Sequence, residues 1–277
     1  ISIIGAPGNL MGVSALNELG IETSFFEYLI VGGPMILAGI LFFALFGYKL
    51  LPKNSSAASL EDDQFAVKDY SHVPKWKQYM SLAVLIIAIL AMVFEKQIGI
   101  KLQVSASVGA IILILTGVIS EKEALKSIDL KTVFLFGGSL ALATALEHTG
   151  AGSLIADTLI GAMGNEVHPL ILLVVIFVIT CTMTNFMSNT ATTALMVPIA
   201  VSLAQGLGAD PRAVVIATVI AGSCAYATPI GMPANTMVVG IGGYKFTDYV
   251  KAGLPLILVS FIICMVILPV AYPFFPA

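Results

Sequence analysis

Apolar residues run along this chain in blocks of membrane-spanning length, with short polar stretches between them. A membrane helix needs about 20 mostly apolar residues. Blocks near 28–50, 79–97, 103–119 and 131–147 each predict a span. A long uncharged region, 169–207, follows, and further spans are predicted near 212–243 and 252–275. Between 51 and 78 lies the one sizeable polar segment, Ser-rich and mixed in charge, which reads as a solvated linker and not a domain. Trp76 and Tyr79 sit where an aromatic belt is expected.

Two of these blocks carry a polar interruption. The centre of 169–207 reads TNFMSNTATT, rich in residues that cap helix starts. Two helices meeting at such a tip partway through a membrane make a re-entrant hairpin, tolerated beside protein or a water-filled cavity. In 212–243, the stretch ATPIGMPANT puts two prolines and a glycine into an otherwise apolar helix. Proline removes a donor and clashes with the preceding turn. A discontinuous helix is predicted, unwound near Thr228–Pro233 and resuming at about Ala234.

Charge placement supports the hairpin. If the hairpin enters and leaves on one side, Lys49, Lys53, Lys68, Lys75, Lys77, Lys122, Lys126, Lys131, Lys245 and Lys251 share one side of the membrane. Lys96, Lys101 and Arg212 fall on the other. The positive-inside rule makes the first side cytoplasmic, with the linker 51–78 inside and the C-terminus outside a plasma or inner membrane.

The two ends of the chain resemble each other. SIIGAPGN at 2–9 aligns with TPIGMPAN at 228–235, pairing Gly5, Pro7 and Asn9 with Gly231, Pro233 and Asn235 at a constant offset of 226. Farther on, Tyr28, Gly32 and Pro34 pair with Tyr249, Gly253 and Pro255 at an offset of 221. Four full spans and a non-crossing hairpin separate the two broken helices, so the second runs opposite to the first. That is the inverted repeat of many secondary transporters, which hold substrate and ions at the midplane. Each half then carries a hairpin before its broken helix. The chain starts at Ile1 inside the first break, so most of the first repeat is expected upstream of it.

Composition narrows the chemistry. The chain of 277 residues is 58% apolar and 10% charged, with a mean hydropathy of +1.00; soluble proteins carry about 25% charged residues. Residues 169–209, 213–244 and 252–277 contain no Asp, Glu, Lys or Arg. Those segments therefore hold no acidic proton relay, no paired aspartates and no base for a serine hydrolase, and an enzyme is not expected. No basic tract points to nucleic acid. Cys181, Cys224 and Cys264 lie in apolar runs and read as buried hydrophobes. What remains is neutral. Helix N-termini, with about half a positive charge and free N–H groups, suit carboxylate, sulfate or phosphate. Unwound carbonyls and Asn or Thr oxygens suit Na+. A dianion bound without a buried Arg is balanced by co-bound Na+.

TNFMSNTATTALMVPIA (184–200), SCAYATPIGMPANTMVVG (223–240) and IDLKTVFLFGGSLALATALEHTG (128–150) together resemble the divalent anion/sodium symporter family, over essentially the whole chain. The resemblance implies an all-α polytopic membrane protein: an inverted-repeat, elevator-type transporter, usually a homodimer, moving di- or tricarboxylates or sulfate with Na+. It implies substrate contacts at Ser188, Asn189 and Thr190, and at Met232, Pro233 and Asn235. In the first half the matching positions are Ala6, Pro7 and Asn9. Sodium is implied at Thr184, Asn189 and Gly231, with Gly5 as the first-half equivalent. Where the family's break commonly reads Ser- or Thr-Pro-Pro-Asn, this chain has Ala6-Pro7-Gly8-Asn9 and Met232-Pro233-Ala234-Asn235, each lacking a hydroxyl. Residues 1–50 are thus read as the end of the first repeat and 79–277 as the second. The function read is Na+-coupled transport of a divalent organic anion such as succinate or citrate. Its rivals are a sodium-independent exchanger, a sulfate or oxyanion transporter, and a non-transporting receptor or scaffold.

Overall fold

The computed structural model describes residues 1–52, 73–151, 154, 158, 161, 168–242 and 244–275. Every regular element among the described residues is helical. The polar linker expected at 51–78 falls largely on 53–72, outside the described residues. The chain divides into two compact units, Ile1–Leu60 with Thr132–Ala277, and Glu61–Lys131.

The first unit begins with a 3-10 turn at Ile3–Gly5, then helix α1 (Pro7–Glu18) and helix α2 (Leu29–Leu45). The second unit holds α3 (Lys75–Val93), the short α4 (Glu95–Ile98), α5 (Leu102–Leu115) and the short α6 (Glu121–Lys126). Helix α7 (Leu130–Thr149) starts at the boundary, and α8 (Pro169–Thr184), α9 (Asn189–Gly206), α10 (Pro211–Ser223), α11 (Pro233–Gly242) and α12 (Phe246–Ala271) complete the first unit. A helix therefore occupies each apolar block, and a non-helical stretch falls at each polar interruption, 185–188 and 224–232.

Local chemistry explains many of the helix starts. Pro169 and Pro211 occupy first-turn positions, where the missing N–H is no loss. His168 Nδ1 accepts from Leu170 N, and Asp210 Oδ1 accepts from Arg212 N. At the far end of the hairpin, α9 gives way to Gly208 at φ +65°, a backbone conformation that favours glycine.

The first unit is organised around α10. In this helix every residue from Ala213 to Gly222 is buried, the pattern of a helix enclosed on all sides. The hairpin arms α8 and α9 pack against it and against each other, and α1 packs against α9 and α10. The core joins Leu173, Ile176 and Phe177 of α8 to Ala200 and Leu203 of α9, Val215 and Val219 of α10, and Leu268 of α12. Phe177 meets Phe261 of α12 edge-on at 5.4 Å. Cys181, Cys224 and Cys264 are buried as expected. Helix α2 packs along α12, yet both leave large apolar side chains outward, Leu37 at 65% and Val270 at 80% exposure. In the second unit α3 packs on α5, with Gly109 close against Val84 and Ala88. Among the described residues, two helices, α3 and α12, are long and apolar enough to cross a membrane. Their exposed apolar surface suits lipid better than water.

Away from the hairpin tip, the sole arginine of the chain ties three elements together. Arg212 lies 3.7 Å from the buried carboxylate of Glu27 and sits over the ring of Tyr272. Arg212 also donates to Glu22 O, and Tyr272 Oη donates to Glu27 O. The loop between α1 and α2 is thereby fastened to the start of α10 and the end of α12.

Candidate functional site

The hairpin tip is residues 185–188, between α8 and α9. Ser188 is the N-cap of α9 and its Oγ accepts from Ala191 N at 3.3 Å. Capping is therefore one thing this serine does, and it remains exposed. Asn189 and Thr190 form the first turn and are half-buried.

Just behind the tip, oxygens converge. Thr184 is fully buried, and its Oγ1 lies 2.8 Å from Asn189 Oδ1 and 2.6 Å from Gly222 O. Three oxygens, one hydroxyl, one amide and one main-chain carbonyl, thus meet at a buried point, and oxygen donors of this kind suit a small hard cation. Gly231 borders the cluster. A Cβ there would stand 3.0 Å from Thr184 O and 2.8 Å from Ala225 Cβ. Thr184, Asn189 and Gly231, expected together from the sequence, are thus brought together, and Gly222 joins them.

The second break extends over 224–232, four residues longer at its front than the expected Thr228–Pro233. Its cause is Asn185, which is 5% exposed and which sequence reasoning did not single out. Asn185 Nδ2 donates to Cys181 O at 2.7 Å and to Cys224 O at 3.2 Å, and Oδ1 accepts from Ala227 N at 3.0 Å. Thr228 Oγ1 donates to the Asn185 carbonyl. A single side chain thus satisfies backbone that no helix serves, as non-helical chain at membrane depth requires. The one available signal was an asparagine inside an uncharged apolar run, which is costly unless fully bonded.

Asn235, in the first turn of α11, spends its amide on the break as well: Nδ2 donates to Ala225 O at 2.7 Å and to Thr228 O at 2.9 Å. Met232 is half-buried, and its carbonyl accepts from Asn235 N at 3.1 Å. Pro233 opens α11. At the first break, Ala6 is extended, Pro7 opens α1, and no side chain caps the helix start. Asn9 Nδ2 donates to Ser2 O at 2.8 Å. The first break also reaches the second hairpin, because a Cβ on Gly8 would stand 3.1 Å from Thr193 Oγ1.

The expected residues do not share one cleft. Gly5, Ala6 and Asn9 line a cavity of about 420 Å³ with Ser223, Tyr226 and Ser260. Asn235 lines another of about 330 Å³, beside Asp248 and Tyr249. Asn185 and Thr228 face a third, otherwise apolar, of about 540 Å³.

Comparison with known proteins follows this geometry. Residues 1–221 match the citrate transporter family. The chain is 36% identical over 156 residues to the uncharacterized transporter YfbS of Escherichia coli, covering 56% of this chain and 25% of that protein. It is 30% identical over 272 residues to the uncharacterized transporter MJ0672 of Methanocaldococcus jannaschii, covering 94% and 58%. To the sodium-dependent dicarboxylate transporter SdcS of Staphylococcus aureus it is 26% identical over 302 residues, covering 98% and 56%. The chain thus spans between a quarter and about three-fifths of the length of these relatives.

Proposed function

Since the chain belongs to the citrate transporter family, we propose that it carries the second-half anion and sodium sites of a secondary transporter of divalent organic anions. C4 dicarboxylates such as succinate are the favoured substrates, citrate is a further one, and Na+ is the coupling ion. The observation that carries this is the convergence of three oxygens, from Thr184, Asn189 and Gly222, at one buried point behind the hairpin tip. It lies directly behind the start of α9, where first-turn N–H groups favour a carboxylate. Sodium at the cluster lowers the cost of bringing a dianion to the tip, so the two bind together. Name and chemistry agree in one relative, SdcS, described as a sodium-dependent dicarboxylate transporter.

On this reading Ser188, Asn189 and Thr190 hold the anion from one side. The starts of α1 and α11, at Ala6-Pro7 and Met232-Pro233, are its further contacts, through the first-turn N–H groups of Gly8 and Ala234, since each proline has none. Asn9 and Asn235 act one step back, their amides fixing the two unwound segments. Gly231 lets the chain approach the ion site without a side chain, and Gly5 is the equivalent position of the first break. The breaks belong to an inverted repeat, the hairpin is re-entrant, and the hairpin with the broken helices moves across the bilayer within a homodimer. The linker 51–78 is cytoplasmic and the C-terminus outside.

The test is uptake of succinate by the full-length protein in proteoliposomes, with and without an inward Na+ gradient, and with citrate and sulfate as competitors. Gradient-driven succinate uptake, abolished by Asn189→Ala in protein that still folds, is the expected result. Uptake that depends only on internal dicarboxylate makes the protein an exchanger. Wild-type kinetics in Asn189→Ala refute the site.

A further inference from the structure

Two tyrosines to which no binding role was assigned, each lining a cavity beside an expected site residue, make the same bond at two places. Tyr28 Oη donates to the main-chain carbonyl of Asn9 at 3.0 Å, and Tyr249 Oη donates to the main-chain carbonyl of Asn235 at 2.8 Å. Each tyrosine precedes or opens the helix that follows a broken one, α2 or α12. Each asparagine lies in the first turn of the half-helix, α1 or α11, that begins at a proline. Each asparagine amide then reaches back to carbonyls of the unwound stretch, Ser2 O in one case and Ala225 O and Thr228 O in the other. The result, twice over, is a chain of contacts from a neighbouring helix through a half-helix start into the unwound backbone. The surroundings differ. Tyr28 is 3% exposed, and a Cβ on Gly12 would stand 2.7 Å from its hydroxyl, so glycine there is what admits the phenol. Tyr249 is half-buried beside Tyr244.

A carbonyl oxygen has two lone pairs, and in a helix interior only one is used along the axis. The phenols take the other without disturbing the helix. Neither tyrosine touches the hairpin tip or the oxygen cluster in any hydrogen bond of the structure. Packing alone would be served by Phe, whereas a phenol twice aimed at the same backbone atom of paired residues restrains the half-helix in rotation and tilt. That orientation decides where its free N–H groups point, and anion binding falls steeply with misaim.

We infer that Tyr28 and Tyr249 are positioning residues, each latching the N-terminus of one half-helix into the direction required for anion binding; this rests on the anion-transport reading. The experiment uses Tyr28→Phe, Tyr249→Phe and the double variant in the full-length protein, which keep the ring and delete one hydroxyl. Na+-driven succinate uptake is expected to show KM raised about three- to tenfold for each single variant, the span of one ordinary hydrogen bond, with the maximal rate within about twofold. Amide hydrogen exchange supplies a readout free of substrate. Tyr28→Phe should speed exchange at residues 8–12 and leave 234–238 unchanged, and Tyr249→Phe should do the reverse. Unchanged KM together with unchanged exchange overturns the inference, even if melting temperature falls, because that pattern is packing alone. Wild-type protein without succinate flux under any gradient refutes the anion-transport reading instead, and unaltered exchange in both variants then still overturns the latches.

Discussion

In the part of the first break that this chain contains, Ile3–Gly5 form a 3-10 turn and Ala6 is extended, whereas the break before α11 spans 224–232. Both share a glycine, a proline opening the next helix, and an asparagine in its first turn. Beyond that frame they are held differently. At the first, one amide bond from Asn9 to Ser2 O supports the turn. At the second, Asn185 and Asn235 together bond Cys224 O, Ala225 O, Thr228 O and Ala227 N. The lesson is that unwound backbone is held by side chains aimed at its polar groups. At the second break one of the two, Asn185, comes from the hairpin tip, so that break and the hairpin form one unit.

The most damaging way to break this comparison is at Asn185. Asn185→Ala leaves Ala227 N–H without its side-chain partner and Cys224 O with only the weak Cys181 Sγ donor at 3.7 Å, and a buried group so orphaned costs about 1–3 kcal/mol. Succinate uptake is expected to fall by about two orders of magnitude, and the melting temperature by roughly 5–10 °C, from the usual conversion for a chain of this size. A variant with wild-type uptake and melting would mean that the second break holds itself.

Next in size is the pair of glycines at equivalent positions. A Cβ on Gly231 would meet Ala225 Cβ at 2.8 Å and Thr184 O at 3.0 Å, while one on Gly5 would meet only Asn9 Nδ2 at 3.5 Å and Ser2 Oγ at 3.7 Å. The first contacts force the break away from the oxygen cluster, and the second are ordinary packing. Gly231→Ala should raise the Na+ concentration needed for half-maximal uptake about tenfold or more, the scale of 1–3 kcal/mol of overpacking. Gly5→Ala should change it by less than about threefold, within the ±0.5 kcal/mol of an uncrowded substitution. Equal losses in the two variants would show the first break to be as tightly enclosed as the second.

Much of this frame was legible in the sequence, and for identifiable reasons. The apolar blocks announce helices because their length and lack of charge admit little else. Pro229, Gly231 and Pro233 announce a break because they are local breakers. The pairs Asn9/Asn235 and Tyr28/Tyr249 were visible as repeated letters, but their partners were not, because a hydrogen-bond partner is a matter of distance in space. The front of the second break was missed for the same reason. The residue that holds the Cys224 carbonyl is Asn185, 39 positions earlier. Gly222 O was likewise invisible as part of the oxygen cluster, since a main-chain carbonyl has no signature in a sequence.

The smallest effect lies in the second unit and serves as a control on both breaks. At the start of α6, Glu123 Oε2 accepts from Ser120 Oγ at 2.7 Å and Ser120 N at 2.9 Å, while Ser120 Oγ accepts from Glu123 N. This reciprocal cap favours the charged carboxylate. The Ser120 hydroxyl, then the Ser120 N–H, hold the Glu123 carboxyl below the ordinary glutamate range, with Lys77 adding a lesser attraction. The sign follows from linkage: a depressed acid contributes its stability above the unfolded pKa and loses it as pH falls through the folded one. Ser120→Ala should therefore return the Glu123 titration, followed by carboxyl carbon-13 shifts, toward the ordinary value. Because the side chain is exposed, global melting near neutral pH should hardly move. Succinate uptake is expected to stay at the wild-type level, since the cap holds none of the residues expected at the substrate or sodium sites. A change in uptake from this substitution would mean that the breaks respond to any loosening of the protein, and the specific losses expected at Asn185 and Gly231 would lose their meaning.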